Sequence, residues 1–375
     1  MEKIYTSLGL MSGTSMDGID VSIIKSNGED KYEAVFDQYF KYDEELYRDL
    51  VNIRNKINSP KDLKINSISL ENLEKKITLF HASVCKKIIN DCCIDIDLIG
   101  FHGQTIFHNG NEKVSRQLGD AHLLSSILRK KVIYNFREND MINGGQGAPL
   151  VPIFHQLLTN QNQIDLPVCI LNIGGIANIT IISSRDFNDL KSYDIGPGNC
   201  LLDKWTRKNS EERFDKNGEL AKAGKTDEII LNQAIDNFDS TTNNNNLSFD
   251  INDFDLNFVR GLSLEDGLST LTDFTASLIY QSIVNSINLD KSEKLKILVC
   301  GGGRKNSSLI NSIKDKLPSH TNLFLIDDYK ISGDFIESQA FAYLAIRSFL
   351  KKIISFPKTT NVKKPCSGGI LIKNY

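Results

Sequence analysis

The sequence predicts an α/β protein built as two similar lobes, each a β-sheet carrying helices. Three observations point there. Two apolar strand, glycine-turn, strand units recur about 160 residues apart, at Ile4–Lys25 and Val168–Ser184. Stretches of helical periodicity separate further short apolar strands. The length, 375 residues, is more than a single typical domain needs.

Each element follows in order. In IYTSLGL-MSGTSMDG-IDVSIIK, the residues Ile19, Val21 and Ile23 alternate with Asp20 and Ser22, the period of a strand. No lysine closes the loop and no helix follows it, so this is a hairpin and not a Walker loop. Residues 43–92 carry helical periodicity. A buried strand, Ile96 to Phe101, leads into HGQTIFH. Residues 121–129 form a short helix, Lys131 to Phe136 a strand, and NGGQGAPLVP a stiff loop before a helix from Ile153. VCILNIGGIANITIISS is the second hairpin, and YDIGPGNCLLDKW is a loop opening a helix. Residues 240–257 read as an exposed loop, 264–289 as a long amphipathic helix, and LKILVC-GGGRKNSSLINSIKDKL as strand, glycine turn and helix. ISGDFIESQAFAYLAIRSFL is another helix. The lobes divide as 1–130, with a segment from about 345 to 375 packing back on it, and 131–344.

Composition narrows the function. Hydrophobic residues make up 40% and charged residues 24%, an ordinary globular balance. A net charge of -3 gives no basic field for nucleic acid or an anionic membrane. Seven cysteines without a C-x-x-C pair argue against a disulfide framework or zinc site and for a reduced compartment. No signal peptide and no run of 18 apolar residues occur, so the expectation is a soluble cytoplasmic protein.

The loop Gly13-Thr14-Ser15-Met16-Asp17-Gly18 is longer than a plain turn. Its main-chain N–H groups and hydroxyls suit a phosphate, and its carboxylate a magnesium ion held through water. Gly174-Gly175 alone reads as a tight hairpin, and Gly301-Gly302-Gly303 as a close strand-to-helix connection. His102, Gln104 and His108 follow a buried strand in a spacing that is no metal pattern, which favours a polar substrate or a capped loop. Asp194, before the stiff Gly196-Pro197-Gly198, stands where a general base or a turn aspartate would. Glu337 opens a helix, where an acid also suits the helix dipole.

Taken in order, GLMSGTSMDGID, GFHGQTIFH, GGQGAPLVPIFHQ, LNIGGIANIT, YDIGPGNCLLDKW, FDKNGELA, LVCGGGRKNSSLI and SGDFIESQAFAYLA cover nearly the whole chain. With them the sequence resembles the anhydro-N-acetylmuramic acid kinases of the sugar kinase, Hsp70 and actin superfamily. The resemblance implies an actin-like ATPase fold and a double reaction. Water opens the 1,6-anhydro bridge of the cell-wall sugar, and ATP phosphorylates O6, giving N-acetylmuramic acid 6-phosphate in murein recycling. It implies Asp194 as the base. It implies Gly13, Thr14, Ser15, Met16, Asp17, Gly18, Ile19 and Asp20, with Gly174 and Gly175, on the ATP phosphates, and Gly301 to Gly303 near the adenosine. His102 and Gln104 would serve the sugar, and Glu337 the Mg²⁺ or the reactive water. The partners implied are ATP, Mg²⁺, the anhydro sugar and a second copy of the chain.

Three departures stand out. Ile195 replaces a usual Thr, Tyr134-Asn135-Phe136-Arg137 replaces G-D-F-R, and Thr242 to Asn252 replaces K-S-T-G-R-E. Two other functions compete: an ordinary hexose or amino-sugar kinase of the same fold, and an ATP-driven binding module of the chaperone or filament kind. The second would need a peptide-binding domain for which the chain leaves no room after its last core helix.

Overall fold

The computed structural model describes residues 3–242, 248–286 and 295–375. They form two compact units. The first comprises residues 1–164, 184–191 and 335–375, and the second residues 165–183 and 192–334.

The first unit is built on β1 (Tyr5–Ser12), β2 (Gly18–Ser26), β3 (Tyr32–Lys41), β4 (Leu98–Asn109), β5 (Val114–Leu118), β6 (Lys131–Tyr134) and the strand Ile370–Ile372. β1 pairs antiparallel with β2 and parallel with β4, and β4 pairs parallel with β6. Outward from β1 the order is therefore β3-β2-β1-β4-β6, with Ile370–Ile372 antiparallel on the β6 edge. Leu8, Leu10, Ile19, Val21 and Ile23 enter one core, and Ser7, Gly9, Ser22 and Ile24 beside them are buried as well, so these strands are covered on both faces. The helix Ser67–Cys92 packs Leu70, Leu73, Ile77 and Val84 into the same core. On Gly9 and Gly100 the helix Ile336–Phe349 comes so close that a Cβ on Gly9 would overlap the Ser338 carbonyl oxygen, and one on Gly100 that of Phe341.

The second unit repeats the scheme with β7 (Val168–Ile173), β8 (Ile176–Ile182), β9 (Lys191–Pro197), β10 (Leu295–Cys300) and β11 (Thr321–Leu325). β7 pairs antiparallel with β8 and parallel with β10, and β10 pairs parallel with β11. The order β9-β8-β7-β10-β11 is the first unit's order with new strands. Its core gathers Leu171, Ile179, Leu201, Trp205, Leu271 and Ile297.

The structure moves several boundaries. The units divide at 164/165 and 334/335, not at 130/131 and 344/345, because β6 completes the first sheet and Ile336–Phe349 lies on β1 and β4. HGQTIFH belongs to the long strand β4, where β5 gives it a partner. Of the loop expected at 240–257, residues 243–247 lie outside the described residues. The described remainder is not simply exposed, since the rings of Phe249 and Phe254 pack on each other and on Phe238.

Candidate active site

The first glycine loop joins β1 to β2. Met16 adopts a left-handed φ of 59° and buries its side chain, and its N–H donates to Gly13 O at 3.2 Å. Ser15 Oγ donates to Asp17 Oδ1 at 2.5 Å. From below, Gln104 Nε2 on β4 donates to Gly13 O at 2.9 Å, and Tyr42 N donates to Asp17 O at 2.8 Å. Thr14 and Ser15 are exposed, and a Cβ on Gly13 would meet nothing nearer than Ser15 Oγ at 3.8 Å. This loop is therefore braced on its inner side and open on its outer one. Of its residues, Ile19 belongs wholly to the core, and Gly18 is required where Phe40 O approaches. Both can offer only main chain to a ligand. Asp20 lies half-buried within β2, opposite Met11 and Tyr39.

His102 and Gln104 are both buried on β4. Arg137 donates one guanidinium N–H to His102 Nε2 at 2.8 Å and another to Gly147 O at 2.8 Å. His102 Nε2 must accept, so its Nδ1 carries the proton and donates to Gly103 O at 2.8 Å. Burial, with the Arg137 charge beside it, holds the His102 imidazolium far below the ordinary range, so the ring is neutral. Sequence reasoning missed this role of Arg137, although the residue stood in a quoted motif. Gln104 spends its amide on the Gly13 loop, and its buried Oε1 has no protein partner.

In the second unit three glycine segments come together. Gly198 N donates to Gly175 O at 2.9 Å and Asn199 N to Gly174 O at 2.8 Å. Asn199 Nδ2 lies 3.9 Å from where a Cβ on Gly302 would be. Gly301 has a φ of 78°, and a Cβ there would overlap Asn172 Oδ1. A Cβ on Gly174 or Gly302, by contrast, would meet only ordinary contacts, Ile176 O at 3.6 Å and Asn199 Nδ2 at 3.9 Å. The FDKNGELA motif docks on the same region: Ser307 Oγ and Ser308 Oγ donate to Asn217 O and Gly218 O at 2.7 and 2.6 Å.

Asp194 sits on β9, and its Oδ2 accepts the Phe249 N–H at 2.9 Å. That partner is main chain, so no side-chain signal could have found it. Ile195 is buried in the apolar core of its unit, where a hydroxyl would have to find a partner. Asn135 holds a left-handed φ of 53° and donates to Glu138 Oε2 at 2.5 Å. Glu337 is half-buried in the first turn of Ile336–Phe349, next to Ser338, whose hydroxyl meets Ser22 Oγ at 2.7 Å.

The family described as anhydro-N-acetylmuramic acid kinase matches residues 5–374. The chain belongs to that family. An anhydro-N-acetylmuramic acid kinase from Pelagibacter ubique (strain HTCC1062) is 65% identical over 375 residues, all of both chains. One from Methylobacterium nodulans is 35% identical over 97% of this chain and 98% of its own, and one from Agrobacterium fabrum 34% identical over all of both. Function follows from membership: the chain is an anhydro-N-acetylmuramic acid kinase of peptidoglycan recycling, and as a kinase it uses ATP. The two 3-2-1-4-5 sheets are the duplicated α/β architecture expected of the sugar kinase, Hsp70 and actin superfamily. Family membership, not this shared architecture, sets aside the ordinary hexose kinase and the ATP-driven binding module.

Proposed function

We propose that the chain hydrolyses the 1,6-anhydro bridge of 1,6-anhydro-N-acetylmuramic acid and phosphorylates O6, giving N-acetylmuramic acid 6-phosphate and ADP. Asp194 takes the proton of a water whose oxygen bonds to C1. The C1–O6 bond breaks with its electron pair on O6. O6 then bonds to the γ-phosphorus, and the bond from that phosphorus to the β–γ bridging oxygen breaks as ADP leaves. The observation that carries this reading is the frame of Asp194. Its strand runs directly into Gly198 and Asn199, which are hydrogen-bonded to the Gly174–Gly175 turn.

The outer face of Gly13, Thr14 and Ser15, and the open Gly174, would receive phosphate oxygens. Among the described residues no group of three or more His, Cys, Asp or Glu side chains could hold a metal by itself. A Mg²⁺ shared with phosphate oxygens needs only one or two carboxylates, and the half-exposed Asp17, with Glu337 as a second candidate, fits that need. Such an ion would supply charge neutralisation on the phosphoryl oxygens. His102 and Arg137 would bind or orient the sugar, and Gln104 would set the loop. Among the described residues no helix is long and apolar enough to cross a membrane. We infer from ATP use that the enzyme acts in the cytoplasm, and we take it to act as a homodimer, which sedimentation would check.

The deciding experiment is turnover in ¹⁸O-labelled water. The label should appear only at C1 of the product, with little or no phosphorylation of free N-acetylmuramic acid, which has no O6 leaving group. Equal or faster phosphorylation of the free sugar would make the chain an ordinary amino-sugar kinase.

A further inference from the structure

The Gly301–Gly303 turn has no side chains with which to hold its own shape, yet its main chain is fixed on every side. Arg304, immediately after it, is 8% exposed. Its Nε and one terminal nitrogen grip Asp327 at 2.7 and 3.1 Å in a bidentate pair. Its other terminal nitrogen donates to Asp334 Oδ1 at 2.7 Å and back to Gly301 O at 3.1 Å. Asp327 Oδ1 also accepts the Gly333 N–H at 3.3 Å, while Gly333 O accepts the Gly301 N–H at 3.1 Å. The guanidinium is thus the hub of a closed ring: turn, arginine, two aspartates, and the 333–334 strand of main chain that returns to the turn. Lys305 completes the charge balance on Asp334 Oδ2 at 2.7 Å.

The guanidinium is buried while both carboxylates stay partly exposed to solvent, so ion pairs of this kind add only modestly to plain stability. The cluster does give rigidity and a defined geometry to a turn of three glycines, which otherwise has the widest conformational freedom available to a chain. Its one main-chain acceptor on the turn is Gly301 O, and the neighbouring Gly302 is the glycine of the turn where a Cβ would meet no clash, its nearest neighbour being Asn199 Nδ2 at 3.9 Å.

We propose that Arg304 is a positioning residue for nucleotide: through Asp327 and Asp334 it sets the Gly301–Gly303 turn against the adenosine of ATP. The proposal rests on the reading of that turn as the adenosine side of the site. Arg304→Lys keeps the charge but cannot grip two carboxylates and a carbonyl at once. It should raise KM for ATP and Kd for ADP about tenfold, leaving kcat and KM for the sugar within about twofold. Asp334→Asn, a milder change at a partly exposed carboxylate, should move the same two constants in the same direction and serves if the lysine variant does not fold. Gly302→Val tests the underlying reading, because a Cβ there has only Asn199 Nδ2 within 4 Å, at 3.9 Å, and no atom of the arginine cluster. If Gly302→Val weakens ADP binding while the folded arginine and aspartate variants bind ADP normally, the turn meets nucleotide but Arg304 does not position it. If Gly302→Val leaves ADP binding unchanged, the adenosine reading fails and the proposal falls with it. A lower Tm with unchanged KM for ATP would likewise reduce Arg304 to a structural residue.

Discussion

Gly9 on β1 and Gly100 on β4 are direct register partners, and a single helix, Ile336–Phe349, rests on both. Neither glycine has a positive φ. Each is there because helix main chain occupies the place of its Cβ, which brings Glu337 and Ser338 down onto the central strands.

Gly9→Ala or Gly100→Ala should therefore destabilise by about 3 kcal/mol or more, the upper end of overpacking costs, because the obstacle is a helix carbonyl and not a flexible side chain. Denaturant unfolding measures it. A change below about 0.5 kcal/mol would mean the helix shifts freely on the sheet.

Asp194→Asn should keep the fold, because the amide oxygen can still accept the Phe249 N–H. Turnover should drop by about 10²–10⁴-fold or more with ADP affinity retained. Near-normal turnover in a folded variant would remove Asp194 as the base.

Gly13→Val should separate ligand from fold. Protein atoms leave the space beside Gly13 open, so stability should change little while ATP affinity falls. Calorimetry with unchanged nucleotide affinity would reduce the loop to a hairpin turn.

Stability should fall on mild acidification. Burial depresses His81 to about 4 and His108 and His155 to about 3, and burial with the Arg137 charge also holds His102 well below its usual value. The unfolded chain binds these protons below about pH 6.5 and the folded chain does not, so unfolding is favoured as pH drops. Each histidine contributes a slope of about 1.4 kcal/mol per pH unit from about pH 6.5 down towards its folded value. Urea unfolding between about pH 7 and about pH 5 should show a steep loss, and a flat profile would contradict neutral burial.

The local structure of the candidate site was legible where residue type and spacing carry it. The two glycine hairpins and the GGG turn read directly from the chain because each is local, whereas YDIGP, expected as a loop, is part of strand β9. What could not be read depends on distant partners. Gln104 was expected to serve the sugar; that its amide also braces the Gly13 loop depends on a carbonyl 91 positions away in sequence. HGQTIFH looked like a loop because the sheet partner that makes it a strand, β5, is too short to announce itself. The boundary expected near residue 130 failed because pairing of β6 with β4 is a long-range fact that no local pattern contains. Arg137 showed its charge in the sequence, but not that it would fix a histidine tautomer.

The route of the chain through its two units sets an order of assembly during synthesis. The first unit's sheet appears first at the ribosome, but the segment 335–375 that covers Gly9 and Gly100 and adds the strand beside β6 emerges only after residues 192–334. Until then its central strands lack their covering helix, and the β6 edge is open. The second unit has all its strands by Leu325 and can close on its own. The nascent enzyme is thus expected to finish its inserted half before the half in which translation began, the reverse of the usual N-terminal-first sequence, leaving a glycine-lined apolar surface for a chaperone to guard in the meantime.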